Sequence, residues 1–202
     1  MAKKVQFGVK DLTVWALTET TTTTGINVSY GDAIAIPGTV KIQLDPAGSD
    51  ATPFYADDST YWVTNGKNQG YTGSFDNALI PEKIRTDLMN YIKDSNNNLV
   101  EIDESDTKYF GMAFSKESND GDIRFVFYKC AFGRLSVNGD TTTDTQSPET
   151  ETASVTIVPL SKKYTLGGKE RTVISNMTSD TTTTASFSAW FTTPQLPGES
   201  IG

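Results

Sequence analysis

Histidine is absent from the 202-residue chain, and cysteine occurs only once, as Cys130. The absence of histidine excludes Ser-His-Asp and Cys-His catalysis as well as imidazole metal sites. A single cysteine excludes an internal disulfide and a thiolate metal cluster. The chain also lacks any run of about eighteen apolar residues, so the sequence predicts no transmembrane helix. These absences predict a protein that has no cofactor and is not an enzyme.

Positive charge is scarce as well. Lys and Arg total 17 against 25 for Asp and Glu, which gives a net charge of −8. Binding to nucleic-acid phosphates depends on clustered Lys and Arg, so a chain this acidic is not expected to bind nucleic acid. The basic start of the chain resembles a signal peptide, but Lys10 and Asp11 interrupt the apolar stretch that should follow. We therefore expect synthesis in the cytoplasm.

Strand patterns dominate the rest of the chain. Apolar and polar residues alternate at 40–44, 71–79, 154–157 and 186–191, which predicts half-buried strands. An alternating segment near the N-terminus changes phase at residues 10–11, which indicates a bulge or a bend. The fold class predicted from these patterns is mainly β.

The segment 123–137 differs because it is apolar on both faces. Residues 119–122 form an Asp-Gly turn signal between this segment and the aromatic run 109–114, so a hairpin is predicted. We expect one face of the strand to meet its own core and the other to be covered by something else. Cys130 lies in this strand on the same face as Val126 and Tyr128, and it is predicted to be buried and inert.

One helix is predicted. Pro81 suits the first helical position, and Ile84, Leu88 and Ile92 recur every four residues, so these three side chains should pack the helix on a sheet. The polar run 94–98 should end the helix.

Three segments are longer than the loops of a compact domain. They span about 45–60, 138–152 (acidic and rich in threonine) and 192–202, where Pro194, Leu196 and Pro197 form a candidate C-terminal arm. We expect the first and the last to be mobile in the monomer and to become ordered on a partner. Threonine runs at 20–24, 141–143 and 181–184 are predicted to be hydrated loops or strand edges.

Several motifs suggest chemistry but lack the required spacing. Residues 94–98 begin like a calcium loop, yet Leu99 occupies the glycine position and Ser105 the bidentate glutamate position. The acidic residues of 101–106 are predicted to form a solvated loop. Gly167 and Gly168 lack the spacing of a phosphate loop, so a turn is predicted.

The order of several short motifs resembles the major tail protein (tail tube) family of long-tailed phages of Gram-positive bacteria. The helix 80–92 is one of them. The others are 7–11 (FGVKD), 16–18 (ALT), 55–58 (YADD), 70–75 (GYTGSF), 109–114 (YFGMAF) and 120–129 (DGDIRFVFYK), continuing to residue 141. Each motif is degenerate alone, but their order and spacing cover most of the chain. Because the chain ends at Gly202, we expect one tail tube domain over 1–202 without an appended immunoglobulin-like domain.

The resemblance implies a tail-tube-type β-sandwich or barrel with one helix packed on the sheet. It implies rings of six copies that stack into a conduit in the virion tail, after assembly in the host cytoplasm. The partners it implies are other copies of the chain, a tape measure protein, and tail tip and terminator proteins, with no membrane. DNA would pass through without specific binding, since six chains at −8 each carry about −48 formal charges.

Candidate contact residues follow from this resemblance. Six residues of the loop 45–60 are candidates for contacts between rings, and four residues of the strand apolar on both faces are candidates for a subunit interface. The first group is Asp45, Pro46, Phe54, Tyr55, Asp57 and Asp58, and the second is Phe125, Phe127, Tyr128 and Phe132.

Other classes of protein stay open. A tube or needle protein of a contractile secretion system is the nearest structural alternative. A secreted carbohydrate-binding or adhesin β-sandwich would explain the threonines and aromatics, but it needs an export signal. A glycoside hydrolase needs two carboxylates in distinct environments, and the sequence marks no such pair.

Overall fold

The structure is a computed structural model and describes residues 5–23, 25–103, 106–137, 139, 141 and 148–198. The predicted mainly-β class is confirmed, with fifteen strands and two short helices in this part of the chain. The elements are β1 Gln6–Thr22, β2 Gly25–Tyr30, β3 Ile34–Ala35, β4 Thr39–Ser49, β5 Thr52–Ala56, β6 Ser59–Thr64, β7 Lys67–Asn77, α1 Glu82–Leu88, β8 Tyr91–Lys93, β9 Leu99–Glu101, β10 Tyr109–Ser118, β11 Ile123–Leu135, β12 Glu151–Ile157, β13 Lys163–Leu166, β14 Lys169–Thr172, β15 Ser175–Met177 and α2 Thr184–Ala189.

A nine-stranded antiparallel sheet forms the body of the molecule. Its strand order is β2-β1-β10-β11-β12-β7-β4, with β3 paired to β1 and β15 paired to β11. The sheet curves so that β4 comes close to β1. The concave side encloses the inner core, whose buried apolar side chains come from five strands, α1 and adjoining loops and include Leu12, Phe75, Phe110, Phe127 and Ile157.

Helix α1 covers one end of the inner core. Ile84 is 0% exposed and Leu88 is 3% exposed, so their predicted packing role is confirmed. The helix ends at Leu88, because Asn90 adopts a left-handed conformation (φ 60°) that terminates helices. Ile92 lies beyond this break in β8 and is 54% exposed, so its predicted packing on the sheet is wrong.

A second core covers the opposite face of β1, β10 and β11. Trp15, Val126 and Tyr128 are fully buried there against Trp190, which follows α2. The prediction of a strand at 186–191 is wrong, since residues 184–189 form a helix whose N-terminus is capped by the Thr183 side chain. Both faces of β11 are therefore covered within one chain.

A bulge in β11 decides which core each of its residues joins. Met112 pairs with Phe127 and Phe110 pairs with Cys130, so β11 carries one extra residue between these pairs. The extra residue shifts the alternation of faces. As a result Cys130 and Phe132 pack with Phe127 in the inner core, not with Tyr128 as the sequence pattern predicted.

Three predicted irregularities are confirmed. Asp11 has a φ of 58°, and the pairing of β1 with β10 shifts register between Lys10 and Thr13. Gly121 turns the chain between β10 and β11 with a φ of 96°. The turn between β13 and β14 contains Gly167 and Gly168, both with positive φ.

The C-terminal arm packs against its own chain as far as Pro197, whereas the sequence analysis expected it to become ordered on a partner. The Trp15 indole N–H donates to the Thr192 carbonyl at 3.1 Å, and the Tyr128 hydroxyl donates to the Gln195 carbonyl at 2.7 Å. Within the arm Pro194 is buried, and Leu196 and Pro197 are half-buried. Residues 199–202 lie outside the described part.

The segment 45–60 is not a loop, and this prediction is wrong. It contains the end of β4, all of β5 and the start of β6. Asp57 and Asp58 form the turn between β5 and β6. Of the predicted loop 138–152, residues 138, 140 and 142–147 lie outside the described part, and Glu151 and Thr152 begin β12.

Candidate functional site

The β5–β6 hairpin projects from the end of the β4–β7 ribbon that lies away from α1. Gly48 and Gly66 lie at its base, where the two chain segments approach each other closely. A Cβ on Gly48 would lie 2.0 Å from the Lys67 carbonyl oxygen, and a Cβ on Gly66 would lie 2.2 Å from the Ser49 carbonyl oxygen, so neither position has room for a side chain. Gly48 also has a φ of 137°, which disfavours any other residue. The register of β4 and β7 shifts at this point, so the hairpin leaves the line of the ribbon.

Both faces of the hairpin are apolar. Phe54 pairs directly with Trp62 across the strands, so these side chains share one face. Pro53 pairs with Val63, and Tyr55 lies on that opposite face. Tyr61 is the extra residue of a bulge, which lets it project without a cross-strand partner.

None of these side chains is covered by described residues of its own chain to any great extent. The exposed fractions are 60% for Phe54, 66% for Tyr55, 71% for Tyr61 and 66% for Trp62. An aromatic side chain offers about 150–250 Å² for burial, so these four expose about 500 Å² together. Aromatic area exposed on both faces of one projecting hairpin indicates an interaction surface.

The tip of the hairpin is acidic. Asp57 and Asp58 occupy its two central positions with φ of 52° and 55°, as a two-residue hairpin turn of the primed type requires. Neither carboxylate pairs with a cation of the described chain, and Ser59 closes the turn by donating to the Ala56 carbonyl at 3.2 Å. The hairpin thus presents two negative charges between aromatic faces.

A second exposed feature is an apolar groove of about 420 Å³ on the nine-stranded sheet. We call it the β15 groove. It is bordered by β4, β7, β10, β11 and β15, and Phe114 and Phe127 form part of its lining. Met177 is 54% exposed at the groove, and Lys116 is the one cation among its described lining residues.

A buried polar centre, which the sequence analysis missed, joins β1 to β11. Lys129 forms an ion pair with Glu19, and the two side chains are only 12% and 15% exposed. The Ser161 backbone N–H and hydroxyl both donate to Glu19 at 2.8 Å. Burial raises the pKa of Glu19, but the hydrogen bonds from Lys129 and Ser161 outweigh it and lower the pKa overall. Because the ion pair engages both groups, neither is free to act as a catalytic base.

The motifs that resemble metal sites serve the local structure. The Asp94 carboxylate accepts the backbone N–H groups of Asn96 and Asn98 at 2.8 Å each, which shapes the turn between β8 and β9 and lowers the pKa of Asp94. Arg134 forms an ion pair with Glu101 at 2.8 Å. Within the described ranges, no group of three or more Cys, Asp or Glu could hold a metal ion.

Cys130 is fully buried, as predicted. Burial raises the pKa of its thiol far above the ordinary value, so the thiol stays protonated at neutral pH.

The predicted contact residues fall into five places. Phe54, Tyr55, Asp57 and Asp58 lie together on the hairpin, whereas Asp45 and Pro46 pair with β7 below its base. Of the interface candidates in β11, Phe125 and Phe127 line the β15 groove, Tyr128 lies in the second core and Phe132 in the inner core. The prediction missed Tyr61, Trp62 and Val63, which lie in β6 of the same hairpin and are exposed as well.

Comparison with known protein families finds no match for the chain, and comparison with curated proteins finds no match either. None of the described helices is long and apolar enough to cross a membrane.

Proposed function

We propose that the chain is a structural subunit of a tail tube, which forms rings of six copies that stack into a conduit for phage DNA. The observation that carries this proposal is the β5–β6 hairpin, whose two apolar faces are left exposed by the described residues of its own chain. The order of sequence motifs supports the same family. The tape measure protein, tail tip and terminator partners, and the location in the virion tail, belong to this proposal.

The exposed area is large enough to contribute to self-assembly. Complete burial of about 500 Å² of aromatic surface would contribute at most about 13 kcal/mol at about 25 cal/mol per Å². Association costs roughly 4–15 kcal/mol, so one hairpin would balance much of that cost by itself. A ring of six copies repeats the contact around its circumference, which multiplies the gain for the assembled rings.

The charge of the chain supports the role of a conduit. Assembled rings would carry a large negative charge, and the resulting repulsion would keep DNA from adhering to the bore. We expect the side chains that line the bore to be polar or acidic. Tubes should therefore show no measurable affinity for DNA at moderate ionic strength.

The test is electron microscopy of the purified chain at increasing concentration. We expect rings and tubes for the wild type. A variant in which residues 50–66 are replaced by an Asn-Gly turn between Ser49 and Lys67 should stay folded in a thermal melt but remain unassembled. A wild-type chain that stays monomeric at millimolar concentration, or long tubes formed by the truncated variant, would contradict the proposal.

One observation favours a second candidate. Phe54 and Trp62 share an exposed face of the hairpin, and a flat aromatic surface is also suited to stacking on sugar rings. Under this alternative the chain is a carbohydrate-binding module, and binding to a glycan panel would be saturable and lost in Trp62→Ala. Assembly without glycan binding would favour the tube subunit.

A further inference from the structure

The β15 groove has the character of a receiving site. Its lining is mainly apolar, and its volume of about 420 Å³ lies within the range of about 300–1,000 Å³ that is typical of sites for compact ligands. The Lys116 ammonium lies 5.8 Å from the centroid of the Phe125 ring. Nearby Lys10 is paired with Glu117 and Asp122, whereas Lys116 forms no ion pair with a described residue.

The tip of the β5–β6 hairpin has the complementary character. Asp57 and Asp58 are acidic and have no cation partner among the described residues, and Tyr55 beside them is 66% exposed. Each arm has five or six residues and, at about 3.3 Å per residue, extends about 16 Å or more beyond the ribbon. The tip can thus reach into another molecule, carrying an aromatic side chain and negative charge together.

We propose that the hairpin tip of one subunit docks in the β15 groove of a second copy, with Asp57 and Asp58 facing Lys116. This inference rests on the proposed function in one respect, namely that the chain assembles with copies of itself. The contact joins two different surfaces of the same chain. Such a contact is heterologous, so it propagates around a ring or along a stack and does not stop at a dimer.

Charge reversal tests the electrostatic part of the contact. Lys116→Glu places like charges opposite each other, so we expect the critical concentration for assembly to rise at least tenfold. The double variant Asp57→Asn/Asp58→Asn keeps residues that tolerate positive φ, and adding it to Lys116→Glu should relieve the repulsion and recover most of the loss. Lys169→Glu reverses an exposed charge in β14 and is the matched control, which should assemble like the wild type.

A disulfide tests the position of the tip. Cys130 is buried and does not interfere, so the pair Ser59→Cys and Met177→Cys can be oxidised in assembled protein. We expect covalent dimers and higher multimers on a denaturing gel, and monomers only when the subunits are kept apart by dilution.

The outcomes separate this inference from the proposed function. Docking in the groove would be supported if the cysteine pair gives cross-linked multimers and if Asp57→Asn/Asp58→Asn restores the assembly that Lys116→Glu weakens. Tubes that form normally in Lys116→Glu and give no multimers would overturn the docking and leave the tube subunit standing. A cross-link confined to single chains would also overturn it, because the occupant would then be the chain itself. A wild-type chain that never assembles would overturn both.

Discussion

Replacement of Ile84 by alanine tests how α1 is held on the sheet. Ile84 is 0% exposed in the inner core, and a fully buried isoleucine replaced by alanine typically costs about 2–5 kcal/mol in the free energy of unfolding. Helix α1 has seven residues and is too short to be stable alone, so it depends on this packing. We expect the variant to lie in the upper half of that range.

Ile92→Ala is the matched control, because it removes the same atoms from the position that sequence periodicity placed on the same helical face. Ile92 lies in β8 and is 54% exposed, so its loss should cost less than about 1 kcal/mol. For a chain of this length, 1 kcal/mol shifts Tm by about 2–4 °C. We therefore expect a fall of roughly 7–20 °C for Ile84→Ala and at most about 4 °C for Ile92→Ala.

The assay is reversible thermal unfolding, followed by circular dichroism and checked by urea titration. Equal losses for the two variants would refute the reasoning, since they would mean that the helix continues through Ile92 and buries it. An unchanged Tm for Ile84→Ala would show that α1 contributes nothing to the stability of the inner core.

Two further predictions concern the polar centre and the hairpin. Glu19→Gln leaves Lys129 buried without its anion and should cost about 3–5 kcal/mol. Because folding lowers the pKa of Glu19, the wild type should lose this stability as the pH falls from the unfolded pKa of about 4.3 through the folded pKa. The Glu19→Gln variant should lack that part of the pH dependence. Identical stability-versus-pH profiles for the two proteins would contradict this prediction. Trp62→Ala should leave the Tm of the monomer within about 2 °C, since the residue is 66% exposed, but raise the critical concentration for assembly about 30-fold, which corresponds to about 2 kcal/mol. A fall in Tm without a change in assembly would place Trp62 in the core.

Local patterns in the sequence located the six longest strands and the start of α1. Alternation depends only on which face of a strand meets the core, so it located β4, β7 and β12. The end of α1 was less predictable, because Ile92 continues a four-residue period even though Asn90 has already broken the helix. The pattern at 186–191 was ambiguous between strand and helix. Phe187, Ala189 and Phe191 alternate as in a strand, but Phe187, Trp190 and Phe191 also fit the spacing of a helical face.

Tertiary partners were beyond the reach of these patterns. The polar centre brings together Glu19, Lys129 and Ser161, which are far apart in sequence and carry no motif. The bulge near Tyr128 moved Cys130 to the other core, and nothing in the sequence of β11 marks an extra residue there. The sequence located half of the hairpin surface through Phe54 and Tyr55 but treated the segment as a loop, because its proline and glycine residues were taken to interrupt a strand.

A comparison of β11 with the hairpin shows why exposure, not apolar patterning, marks a candidate interface. Both segments are apolar on two faces, and the sequence analysis inferred from this pattern that β11 needs cover from outside its own core. The chain itself supplies that cover through α2 and the C-terminal arm, where Tyr128 is 0% exposed. The hairpin receives no such cover, since Trp62 stays 66% exposed. The Tyr128 face of β11, which the fold already buries, has no need of a partner, whereas the apolar faces of the hairpin are removed from water only when another molecule covers them.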